Sequence, residues 1–141
     1  MRHKLVFATF LFVSLASSAA PLKVDDFYKK SDTLMKIAKT AKNEKEQTAQ
    51  LLSLKESLEK TRTEYQNQDP DKGGPDESKV NLLYYNLLPV FDYIEDTKKN
   101  PNKCANTELK IRSADAQGRD EGAPLRKDAQ IALDWLKIFC K

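Results

Sequence analysis

Apolar residues return along this chain at helical rather than strand spacing. In residues 24–41, apolar or small side chains fall at Val24, Phe27, Ser31, Leu34, Ala38 and Ala41, in steps of three and four. Lys29, Asp32, Lys36 and Lys39 take the opposite face, so an amphipathic helix is predicted, with Met35 at the edge of its buried stripe. Seven polar residues follow at 42–48, with Asn43 placed to cap a new helix and Glu46 three residues on. A turn there gives a helical hairpin; one unbroken helix to Tyr65 would be about 65 Å long at roughly 1.5 Å per residue, too long for a small domain to cover. The second helix carries Leu51, Leu54, Leu58 and Tyr65 on one face and Leu52 at its edge. Glu56 with Lys60 and Glu59 with Arg62 are expected to pair on its solvated side.

The run 67–77 is dense in Asp, Pro and Gly and reads as a flexible connector. It is no calcium loop, since Val80 stands where an EF-hand needs glutamate. A third helix is expected to start near Pro75 and to be covered on most sides. Its apolar positions include Val80, Leu83, Leu87, Val90, Phe91 and Ile94, and 80–94 is the densest apolar run outside the N-terminus. Pro89 lacks an N–H and crowds the carbonyl of Tyr85, so a kink or break is expected there. The segment 104–118 is less legible: a short helix capped by Asn106 or Thr107 and ended by Gly118 is preferred, and an extended segment would also fit Leu109 and Ile111. The last helix should open at Pro124. Its polar stripe is Lys127, Gln130, Asp134, Lys137 and Lys141, and most of the remainder is apolar, which points to packing against 80–94.

These elements predict an all-α fold, a small bundle of four main helices with an optional short fifth helix in 104–118. Residues 20–141 would form the single domain. Residues 1–19 stand apart: Arg2, His3 and Lys4 precede an apolar stretch from Leu5 to Leu15 and then small residues, which reads as a secretory signal peptide cleaved near Ser18 or Ala19. Eleven residues, broken by Thr9 and Ser14, are too few to span a bilayer. A secreted or periplasmic location follows, with no membrane insertion after cleavage.

Export makes one intrachain disulfide the expected state of the two cysteines, Cys104 and Cys140. The bridge also predicts topology. Cys140 ends the last helix and Cys104 closely follows the third, so the two helices should finish together and run parallel, with 104–122 as the return crossing.

Losing Arg2 and Lys4 lowers the formal charge from +3 to +1, which leaves no field suited to nucleic acid. His3, the lone histidine, departs with the leader, so histidine-based triads, the usual zinc sites and histidine-ligated haem drop out; Met35 alone makes no haem site. No catalytic, metal or cofactor set is expected. The chain reads as a non-enzymatic binding module for an unknown protein or envelope component, with the loops 67–77 and 104–122 as candidate contacts. The alternative is a carrier of a small apolar ligand beside Pro89, held by Tyr84, Phe91, Tyr93 and Trp135. A carboxylate enzyme using Asp92, Glu95 and Asp96 ranks last, because a solvated helix face would carry those acids anyway.

Overall fold

The computed structural model describes residues 20–68 and 70–141, and the expected leader, 1–19, lies outside them. Five helices follow in order: α1 Val24–Thr40, α2 Glu44–Gln66, α3 Pro70–Glu95, α4 Lys103–Ala116 and α5 Lys127–Phe139. With no strand among the described residues, the fold is an all-α bundle.

The hairpin from α1 to α2 forms as its sequence suggests. Asn43 caps α2 by accepting from the Glu46 N–H at 2.9 Å, and Glu46 reaches back to the Lys42 N–H at 3.0 Å. Leu51, Leu54 and Leu58 are fully buried against Phe27 and Ala38 of α1 and Leu83, Leu87 and Phe91 of α3, one continuous apolar core. The expected pairing of Glu59 with Arg62 is replaced by contacts across the bundle. Arg62 donates from Nε to Asn81 Oδ1 at 2.7 Å and lies 3.9 Å from the Tyr84 ring centroid. Glu59 accepts from the Tyr84 hydroxyl at 3.2 Å.

Three boundaries differ from the expectation, each for a local reason. The connector 67–77 turns helical from Pro70, and the interruption falls at Gly74, whose φ of 47° and ψ of −134° only glycine adopts readily. Pro75 restarts the helix, and helical dihedrals continue through Pro89, where a kink or break was expected. The carbonyl that Pro89 leaves without a partner belongs to Tyr85, an exposed residue, so water can satisfy it while Leu87, Val90 and Phe91 hold the helix by burial. The segment 104–118 is helical, but α4 starts at Lys103: Thr107 is no cap, because its hydroxyl donates back to the Lys103 carbonyl at 2.8 Å. Gly118, at φ 68°, follows its end. The last helix begins at Lys127 rather than Pro124. Arg119 binds the Pro124 carbonyl and Asp115 accepts the Arg126 N–H at 3.3 Å, which holds 124–126 against α4.

Side-chain bonds fix the direction of each helix. Tyr65 donates to the Leu22 carbonyl and Gln47 to the Ala38 carbonyl, so α2 runs antiparallel to α1. Arg62 with Asn81 and Lys55 with Glu95 make α3 antiparallel to α2. Tyr28 with Asp128 and Ser31 with Trp135 make α5 parallel to α1. Hence α3 and α5 are parallel, and Tyr93 near the end of one meets Phe139 at the end of the other, ring centroids 6.2 Å apart. The disulfide Cys104–Cys140 closes that end with a Cα separation of 5.9 Å. Going down, α4 covers the seam between α3 and α5 and buries one residue per turn: Thr107, Ile111 and Asp115.

Candidate functional site

In the four-helix arrangement of α1, α2, α3 and α5, three sides are closed by interleaved apolar chains. The fourth, between α1 and α5, is not: these two helices touch far less than either touches its other neighbour. Two bulky aromatic residues account for the gap. Trp135, fully buried, points its indole across to α1 and donates from Nε1 to Ser31 Oγ at 2.8 Å. Ser31 is small enough to admit the ring and supplies the acceptor a buried indole needs. Lower down, Tyr28 donates from its hydroxyl to Asp128 Oδ1 at 2.6 Å. These two polar bonds join α1 to α5 alongside the buried Met35, Ile131 and Ile138.

Above these bonds the seam forms a groove, open to solvent. Its lower part, about 810 Å³, has Tyr28, Met35, Leu125 and Ile131 among its walls, with Lys29, Asp32, Lys127, Gln130 and Asp134 around them. A smaller cleft of about 310 Å³ continues it toward the helix ends, past Asp134 to Ile138, with Lys39, Lys137 and Lys141 beside it. The groove thus combines apolar side chains with a larger set of charged and polar ones, a mixture that a binding surface can use.

Electrostatics at the lower end follow from burial. The Asp128 carboxyl is held above its usual range by desolvation, against the Tyr28 hydrogen bond and the cations Arg126 and Lys127, which pull it down. Desolvation and the Asp128 carboxylate together push the Tyr28 hydroxyl far above the usual phenol range. Lys127 Nζ sits 4.1 Å from the Tyr28 ring centroid. Asp115, also buried, pairs with Arg119.

Of the four residues expected to line a ligand pocket, Tyr84 and Phe91 are neighbours, while Tyr93 and Trp135 make their contacts elsewhere. Tyr84 packs on Phe91, centroids 5.8 Å apart, under Arg62 on the α2/α3 face. Phe91 is itself fully buried, as is Trp135 on the α1 side of the core. Tyr93 stands at the disulfide end, its hydroxyl 3.3 Å from Cys104 Sγ. Pro89 lines a small, mostly polar cleft of about 150 Å³ with Tyr93, Asp92 and Asp96. The acids Asp92, Glu95 and Asp96 are all exposed; Glu95 pairs with Lys55, and Asp96 Oδ1 accepts the Lys98 N–H at 2.9 Å. Among the described residues, no three histidine, cysteine, aspartate or glutamate side chains gather as metal ligands would.

Sequence reasoning did not single out Tyr28 or Asp128. Asp128 did carry a signal: it lies off the polar stripe of α5, the one acid within the apolar arc, and an acid so placed needs a buried partner. The groove itself left no trace in the sequence, since Met35 and Ile131 read as ordinary core positions. Comparison with protein-family models, curated proteins and solved structures gives no match.

Proposed function

We propose that the protein is an exported, non-enzymatic binding module, secreted or periplasmic, and that it meets a protein or envelope partner through the α1/α5 groove. The observation that carries this reading is the open fourth side of the bundle: a groove of about 810 Å³, lined by apolar and charged side chains, where the other three sides are closed. Loops are common carriers of recognition, yet here much of 67–77 and 104–122 is helical. Export is supported by the pattern of 1–19 and by the disulfide, a bond that persists in oxidising compartments. No helix among the described residues is long and apolar enough to cross a membrane.

Site-specific photo-crosslinking in the producing organism tests the assignment. A photoreactive residue at Gln130, on the groove, should yield one discrete adduct, and one at Lys60, exposed on α2, should not. Identical adducts from both positions, or none from Gln130, would refute the groove as the contact face.

A further inference from the structure

We infer that the occupant of the α1/α5 groove is an acidic amphipathic helix of a partner protein, laid antiparallel to α1 and α5; this rests on the groove being the contact face. Three observations converge on that chemistry. The first is internal precedent. α3 and α5 are parallel, and the seam between them is filled by α4, an antiparallel helix that buries Thr107, Ile111 and Asp115 at steps of four. α1 and α5 also run parallel side by side, and their seam carries no such helix among the described residues. An antiparallel helix there would also oppose the aligned dipoles of its two neighbours, as α4 does in its own seam.

The second observation is charge. Five lysines and two aspartates line the groove, and both aspartates already pair with lysine: Asp32 with Lys36, Asp134 with Lys137. Among the described residues Lys29, Lys39 and Lys141 have no ion pair, and all three are exposed. Lining lysines thus outnumber aspartates five to two along this seam, which favours an acidic partner and would speed its approach.

The third is shape. Met35, Ile131 and Ile138 are each less than a tenth exposed, so the groove is a shallow trough rather than a channel able to enclose an alkyl chain. α5 has 13 residues, so the trough extends for about 20 Å at 1.5 Å per residue. A helix of about four turns matches it, with apolar anchors one turn apart on the floor and carboxylates against the lysines.

Two synthetic peptides of roughly 14 residues test this, about four turns each. Both carry leucines at helical spacing; one bears glutamate elsewhere and its twin bears lysine. Binding is followed through amide resonances of the disulfide-intact protein. The glutamate peptide should shift resonances along α1 and α5 and bind at least about tenfold more tightly than its twin, the advantage shrinking with added salt. Lys29→Glu, Lys39→Glu and Lys127→Glu combined should abolish that preference, while Lys99→Glu with Lys110→Glu should keep it. A spin label on the peptide N-terminus should broaden Ala41 and Ile138, not Tyr28 and Leu125.

Equal binding of the twins, or binding that survives the triple charge reversal, overturns the acidic helix. Broadening at the Tyr28 end overturns the antiparallel orientation. Groove shifts produced by oleate or phosphatidylglycerol vesicles and by neither peptide, or by the protein's own self-association, overturn the occupant in favour of an anionic amphiphile or a second copy. In those cases a discrete adduct from Gln130 would still uphold the groove as the contact face, and loss of that adduct too would take down both readings.

Discussion

Replacing Cys104 and Cys140 with serine tests the topology most directly. The bridge closes a loop with a sequence separation of 36. In the chain-entropy account a loop of that size removes about 13 cal/mol/K from the unfolded ensemble, a stabilisation of about 4 kcal/mol at 25 °C. Little should be lost in the folded state itself, because α4 and α5 are also joined at their opposite ends through Asp115, Arg119 and the Arg126 N–H. Unfolding entropy of about 2.1 cal/mol/K per residue gives a domain of this size about 250 cal/mol/K, so 4 kcal/mol corresponds to a fall in Tm of about 15 °C. Urea titration and thermal melting followed by far-UV circular dichroism measure both quantities. The urea dependence should also steepen, since the unbridged chain exposes more surface when unfolded. A double variant within about 1 kcal/mol of the parent, with unchanged slope, would refute the claim that the bridge acts by restraining the unfolded chain.

Ser31→Ala should cost about 1 to 3 kcal/mol in urea unfolding, because it strands the fully buried Trp135 N–H; a loss below a few tenths would mean that the bond is not what seats the indole. Asp128 binds its proton more tightly folded than unfolded, where its ordinary value is 3.8, so its stabilising contribution is full below that value and is lost as pH rises through the folded pKa. Measured from neutral pH down to acid, the parent should therefore gain stability relative to Asp128→Asn, and a relative loss would contradict the desolvation argument. Gly74→Ala should destabilise by about 1 to 3 kcal/mol through its positive φ alone, as no neighbour lies within 4 Å of the added methyl; an unchanged midpoint would show that the break between 70–73 and the rest of α3 relaxes freely.

The sequence by itself determined the helices and one spatial constraint. Steps of three and four placed Phe27, Ser31 and Ala38 on one face and Leu51, Leu54 and Leu58 on another, and all six are buried, because a soluble helix has a single stripe to hide. The cysteines determined that the third and last helices run parallel, since a disulfide spans only about 6 Å between Cα atoms whatever the chain between them does. Boundaries were less legible where side chains from elsewhere intervene, as Arg119 and Asp115 do at 124–126. Of the site, only Asp128 left a mark in the sequence, as the one acid within the apolar arc of α5. Tyr84, Phe91, Tyr93 and Trp135 share an aromatic character that sequence can see, but Tyr84 and Phe91 meet α2 side chains, Tyr93 the disulfide end and Trp135 α1, and nothing local states which. Only the tertiary structure decided that Trp135 and Tyr28 would prop α5 away from α1. A periodic pattern says which side of a helix is buried; how closely two buried sides approach depends on the volumes that meet there, a property of the pair and not of either helix.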